Sequence, residues 1–348
     1  MAPRKMKKIT IIATAALAAL MSCSKIETVQ PAVQPTEVDF QVLSYAVGTK
    51  ASTVEFTNSD FGTYAWYNGN DGSDAQAFMV NTKVTKQAGI WKAAIGKYYW
   101  PKAGSLDFIS YSPFKGTDGS TDSMPAVTAS SLVYNNYTVN GEDLMYADKA
   151  TGRTFITTES DSSVPTLFHH ALSKVSFEFI TGDPNITYHI TKVELLNVIE
   201  NGSLSLSLSG TGWNLPSDIE KVGWTRGTDP VSYAVINIPE SLEVTSEAID
   251  KPHAAKCTQA KDIIVLPQHL AEQKVRITAD ITAPLPTGDG TYLQTGAVME
   301  GKLVTQQVPW WGMNKAITYI IYLQRGEEIT FSASASDWTS GGASVLTI

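Results

Sequence analysis

The sequence has 348 residues, 43% apolar and 17% charged, with a formal net charge of −8 at pH 7, which is chain enough for two domains with separate cores. An acidic surface of this kind argues against nucleic acid and against anionic lipid headgroups as partners. The only cysteines, Cys23 and Cys257, exclude a disulfide framework and a four-cysteine zinc site.

The chain opens with Arg4, Lys5, Lys7 and Lys8 ahead of an apolar run from Ile9 to Met21, the charged and apolar regions of a secretory signal. That run is too short to span a bilayer, which takes about 20 apolar residues. Leu20-Met21-Ser22-Cys23 resembles the lipobox of bacterial lipoproteins, whose cysteine is diacylated and becomes the first mature residue. Two acyl chains suffice for stable anchoring, so residues 1–22 are expected to be a lipoprotein signal peptide and Cys23 the lipid attachment point. The competing reading is an ordinary signal peptide cut near Ser22. Residues 23–36, with Gln30, Pro31, Gln34 and Pro35, have little to bury and read as a flexible tether.

From Glu37 the pattern is that of strands. Residues 37–47 place Val38, Phe40 and Val42 on one face and Leu43, Tyr45 and Val47 on the other, a strand buried on both sides or interrupted by a bulge. It stops at Gly48-Thr49-Lys50. Short runs follow at 52–56, 64–67, 90–95, 97–100 and 105–111, separated by Asn, Gly, Asp and Pro, which is the rhythm of a β-sandwich. Residues 115–125 are nearly devoid of apolar side chains and read as a surface loop. A second polar stretch, 157–164, is taken as the domain boundary, giving an N-terminal domain 37–163 and a C-terminal domain 164–348.

After the boundary the alternation is cleaner. Val175, Phe177 and Phe179 lie opposite Lys174, Ser176 and Glu178, and Leu204, Leu206 and Leu208 alternate with serines, a period no helix can present. Runs at 231–238, 262–266, 274–282, 316–323 and 327–338 complete a second sandwich. Residues 246–261 are the best helix candidate.

No chemistry of an enzyme is legible. There is no G-x-S-x-G elbow, no phosphate-binding glycine loop, no H-E-x-x-H and no C-x-x-C, so no catalytic residue, metal or cofactor is expected. His169 and His170 are adjacent on a strand and point to opposite faces, which rules out joint chelation. Asn68, Asn70, Asp71 and Asp74 lack the spacing of a calcium loop. Trp91, Trp100, Trp310 and Trp311 raise carbohydrate stacking as an alternative, although indoles in a sandwich more often fill its core. Trp310-Trp311, before Gly312, is the pair that could form an exposed platform for glycan.

Several stretches, taken in order, resemble the fimbrillin family, the lipoprotein subunits of type V pili and related surface fimbriae in Bacteroides-like bacteria. They are Lys50-Ala51 followed by Phe61-Gly62-Thr63-Tyr64-Ala65-Trp66, then Tyr99-Trp100-Pro101 with Leu106-Asp107-Phe108-Ile109-Ser110-Tyr111-Ser112-Pro113. Asp143-Leu144-Met145-Tyr146-Ala147 comes next, then Leu167-Phe168-His169-His170-Ala171-Leu172-Ser173-Lys174-Val175, Leu266-Pro267-Gln268 and the closing Asp337-Trp338. The resemblance implies an all-β chain of two transthyretin-like β-sandwich domains in tandem, exported as a lipoprotein to the outer membrane and cell surface. It also implies assembly with other fimbrial subunits by donor-strand exchange, after a processing protease cuts at Lys50-Ala51 and releases the first strand. Lys50 stands where family members commonly carry Arg, which fits a lysine-accepting protease or no cleavage at all. The tail after Trp338 offers only Val345, Leu346 and Ile348 as the apolar content of a donor strand, which favours a tip or minor subunit over a stalk subunit. The adhesion target expected for such a subunit is a glycan or protein of a host or bacterial surface. The rival reading is a monomeric surface lipoprotein that binds glycan through exposed aromatics.

Overall fold

Alternating apolar positions between turns rich in Gly, Asn and Pro lead to strands throughout, and each strand buries one face. The computed structural model describes residues 35–46, 52–54, 56–72, 74–116, 124–155, 162–182, 185–209, 212–213, 223–245, 262–324 and 330–338. Among the described residues every regular element is a β-strand. Contacts divide the chain into a unit Met1–Pro35 and a unit Thr36–Ile348, and the strands all lie in the second.

The first part holds β1 (Asp39–Ala46), β2 (Ser52–Val54), β3 (Asp60–Asn68), β4 (Gln76–Gln87), β5 (Ile90–Ala93), β6 (Ser105–Ser112), β7 (Ala126–Thr128), β8 (Ser131–Thr138), β9 (Met145–Ala147), β10 (Ala150–Arg153) and β11 (Val164–His170). Seven of them close a ring in the order β6-β3-β4-β5-β1-β11-β9 and back to β6, with β2 hydrogen-bonded to β1 and β10 to β6. Inside it lie Phe40, Phe61, Val84, Trp91, Trp100, Phe108 and Phe168, all buried. Val164–His170 therefore shares a sheet with strands that precede residue 157.

The second part holds β12 (Ser173–Thr181), β13 (Thr187–Val198), β14 (Asn201–Ser209), β15 (Gly212–Trp213), β16 (Trp224–Arg226), β17 (Val231–Thr245), β18 (Ile263–Val265), β19 (Gln268–His269), β20 (Lys274–Pro284), β21 (Thr291–Lys302), β22 (Trp310–Trp311), β23 (Lys315–Leu323) and β24 (Thr330–Asp337). Two four-stranded sheets, β18-β12-β23-β24 and β17-β13-β20-β21, share a core that includes Phe177, Phe179, Tyr188, Ile190, Ile277, Trp311, Tyr319 and Ile321. β14 leaves this part to pair with β8, and that small sheet packs its Leu132, Tyr134, Leu204 and Leu206 with Ile109 and Tyr111 of β6.

Bulges account for strands that a strict period of two does not reveal. In β13 the buried positions run Tyr188, Ile190, then Val193 and Leu195, because the register against β20 skips between Ile190 and Lys192. β4 does the same between Met79 and Thr82, across Asn81 at φ 41°. The helix candidate 246–261 and Cys257 lie outside the described residues.

Candidate functional site

The ring depends on β1, the strand at its sequence-distant seam. β1 runs parallel to β11, with Phe40 opposite Val164 and Ser44 opposite Phe168. Its other edge is shared by β5 at Asp39 and Phe40 and by β2 at Ser44 to Ala46, both antiparallel. Just ahead of it, Val38 N donates to Tyr98 O at 2.8 Å and Trp100 N donates to Thr36 O at 3.0 Å. The whole segment thus sits inside a sheet and not at its margin.

Val38, Phe40 and Ser44 turn into the ring, and Val42 packs against the same core from a half-buried position. The Phe40 ring meets Phe61 edge-on at 5.4 Å and Phe108 at 5.8 Å. Leu43, on the opposite side, is half-buried as well. Burial of Val38 and Phe40 stabilises by about 1.5–3 kcal/mol each. Two polar atoms work against that: Asp39 Oδ1 and Ser44 Oγ are buried with no hydrogen-bond partner, and an unpaired buried group costs about 1–3 kcal/mol. Much of the hold on β1 therefore comes from its backbone bonds to β11. If β1 leaves, β5 and β11 are left with unpaired edges along a slot lined by Phe61, Phe108 and Phe168.

Among the expected site residues, Val38, Phe40, Val42 and Leu43 lie together on this segment. The side chain of Tyr45 is outside the described set, as are Val47, Lys50, Ala51, Cys23, Val345, Leu346 and Ile348. Of the expected decoys, His169 stacks on Tyr146 at 5.3 Å and meets Asp148 at 2.9 Å, while His170 faces the other way. Asn68 ends β3, and Asn70, Asp71 and Asp74 fall in the connection from β3 to β4. Trp91, Trp100 and Trp311 are core residues, and Trp311 donates its indole N–H to Tyr319 OH at 3.0 Å. Expected as a loop platform, Trp310-Trp311 instead pairs with β19 as β22, and half-buried Trp310 packs edge-on to His269 at 6.1 Å.

Sequence reasoning missed a junction between the two parts. His170, 1% exposed, shares a hydrogen bond of 2.8 Å between Nδ1 and Asp143 Oδ1, and its ring stacks on Trp338 with centroids 4.0 Å apart. Ala171 N donates to Leu144 O and Trp224 Nε1 to Ala171 O, so the turn from β11 to β12 is pinned on both sides. The signal for it was the closing Trp338, whose partner no local pattern could name.

A profile of fimbrillin-like proteins matches residues 49–338. The chain belongs to the fimbrillin-like family. The family match begins at residue 49, after β1 and before β2, so β1 lies outside the shared segment. Among solved structures, a fimbrial protein from Bacteroides vulgatus superposes with a TM-score of 0.59 at 14% identity, over 87% of this chain and 100% of that one. A likeness at that identity is one of fold. A candidate cell adhesion protein from Bacteroides uniformis is 18% identical with a TM-score of 0.46, covering 89% of this chain and 100% of that one. The tip fimbrial protein Mfa3 from Porphyromonas gingivalis is 11% identical with a TM-score of 0.36, covering 81% and 94%. No curated protein sequence matches the chain.

Proposed function

We propose that this fimbrillin-like chain is a structural or adhesive subunit of a cell-surface fimbria, a tip or minor component ahead of a stalk subunit, which polymerises by exchanging β1 for a strand of a neighbour. In this reading the precursor is exported as a lipoprotein through Cys23 and docks at the outer membrane. A protease then cuts at Lys50-Ala51. The two parts of the chain act as tandem β-sandwich domains, the first accepting the strand.

The observation that carries the reading is the position of β1. It is the first element of the fold, its removal breaks no other covalent connection, and it alone closes the ring between β5 and β11. The slot dictates its occupant: a strand parallel to β11, with apolar side chains at the alternating places of Val38, Phe40 and Val42 and a small residue at that of Ser44. A donor with a fourth apolar group in place of Ser44 would lose one of the orphaned polar atoms and bind more tightly than β1 itself. Exchange then runs downhill without an energy source.

Amino-terminal sequencing of fibre-associated protein tests the processing step. A start at Ala51 is the expected result, and a chain in a polymer that still starts at Cys23 would rule the step out. Heating fibres in detergent tests the exchange, since strand-swapped polymers persist as ladders on a gel and a monomeric glycan binder does not. Cys23→Ala should abolish metabolic labelling with palmitate.

A further inference from the structure

β21 is an edge of the second part of the molecule that lacks the usual guards. From Thr291 to Met299 it carries neither charge nor proline, and Leu293, Val298 and Tyr292 are 58%, 59% and 43% exposed. Edge strands are normally blunted by shortness, proline or charge. The opposite edge of the same sheet, β17, includes Pro239, Glu240 and Glu243, and β18 is three residues long. β24 offers chiefly serine and alanine along its length. Among the described residues β21 pairs with β20 alone.

A bulge brings Leu293 and Val298 to one face of β21. Gly296, at φ 64°, donates its N–H to Asp280 Oδ1 at 2.8 Å, and the register against β20 skips from Ala279–Ala297 to Ile281–Gln294. Leu293 thereby lies opposite Thr282 and Val298 opposite Thr278, both on the outer side of β20, although they are five positions apart in sequence.

We propose that β21 pairs antiparallel with β21 of a second copy of this chain, about a two-fold axis between Thr295 and Gly296. What selects a second copy is that the strand complements itself. In this register Leu293 of each copy meets Val298 of the partner subunit, and Tyr292 meets Met299 of the partner subunit. At the rim, Asp289 of each copy meets Lys302 of the partner subunit, and Glu300 faces an uncharged Thr291. Leu293 and Tyr292 meet apolar side chains and Asp289 meets a cation, twice over, as an isologous contact requires. Lys302 is exposed and already within 3.1 Å of Glu272, so the new pair extends a local charge network instead of desolvating a lone cation. The contact joins the sheet β17-β13-β20-β21 of both copies into one. It lies in a different sheet from β1, so it associates subunits sideways whether or not strands are exchanged.

The test uses the chain from residue 23 onward with Cys23→Ser and Cys257→Ser, to which Leu293→Cys or Val298→Cys is added singly. Under mild oxidation an equimolar mixture of the two variants should give a covalent dimer on a non-reducing gel, and neither variant alone should. In sedimentation of the cysteine-free chain, Lys302→Glu should weaken the dimer by roughly tenfold, and Asp289→Lys in the same chain should restore it. Crosslinking within a single variant would refute the register. A strictly monomeric chain, or a dimer untouched by Leu293→Asp, would refute the surface; these residues are exposed, so folding of each variant is verified by circular dichroism.

Discussion

The two parts of the molecule meet the problem of sheet edges in opposite ways. The first closes its sheet on itself, but the closure hangs on one strand drawn from the start of the chain and held between neighbours about 50 and 120 residues away in sequence. The second leaves its sheets open and manages each edge separately, by shortness at β18, by proline and charge at β17, and hardly at all at β21. Closure removes edges entirely while it lasts. It also creates two edges at once when its one distant strand departs, which is the property a strand-exchanging subunit needs. The open sandwich can lose no such keystone, and its exposed edge suits contacts that form and break without refolding.

Alkaline pH should separate the two parts most strongly. Burial pushes the hydroxyls of Tyr111, Tyr134, Tyr137 and Tyr146 above the usual tyrosine value, and all four lie in the cluster between β6 and the β8–β14 sheet. In the sandwich core burial raises Tyr319 in the same way. Because the folded state keeps these protons and the unfolded state loses them, the stability is fully present below about pH 10 and falls as pH rises. The slope is about 1.4 kcal/mol per pH unit for each tyrosine that stays neutral, and hence about four times that for the cluster. Hydrogen exchange at pH 10 to 11 should show β6, β8 and β9 opening before β12, β13 and β20. Simultaneous opening would mean that the parts form one cooperative unit.

Phe40→Ala comes next, at about 3–5 kcal/mol for truncating a buried aromatic. Its effect should be confined to β3, β5, β6 and β11, and should speed the release of β1 that the proposed exchange requires. Equal loss of protection in the sandwich would erase the contrast. The converse probe is Tyr319→Phe, which leaves Trp311 Nε1 without the acceptor it has at 3.0 Å and should cost about 1–3 kcal/mol, felt in β12, β20 and β23 alone.

Legibility in the sequence follows the same divide. Strands with an unbroken period of two, such as Val175 to Phe179 and Val275 to Ile281, were readable, because burial on one face is the whole of their logic. β4, β13 and β21 were not, since a bulge in each shifts the apolar positions by one and cancels the alternation. The first strand was readable as a strand from its alternating Val38, Phe40 and Val42. Its seat between β5 and β11 was not, because parallel pairing with residues 164–168 leaves no local trace. For the same reason His170 looked inert in sequence, while its contacts with Asp143 and Trp338 come from segments 27 residues before it and far beyond it.

The smallest expected effect concerns the unguarded edge. Glu300, on β21, accepts from Arg276 Nε at 2.7 Å and from Lys274 Nζ at 3.2 Å, and these bonds, Arg276 first, hold its carboxyl below the usual glutamate range. A carboxyl whose pKa is lowered on folding contributes stability that is present above its unfolded value and is lost as pH falls through its folded one. The side chain is 31% exposed, however, and ion pairs open to solvent contribute only about 0–1 kcal/mol, less with added salt. Glu300→Gln should therefore lower the denaturation midpoint of the sandwich slightly at neutral pH and low salt, with no difference from the parent chain at pH 2 or in molar salt. The first part of the molecule should not register the change. Since Glu300 faces an uncharged Thr291 in the proposed β21 pair, dimerisation should also be unaltered. A variant that dissociates the dimer while barely changing stability would place the charge pair in the contact itself, and the register would have to move by at least one residue.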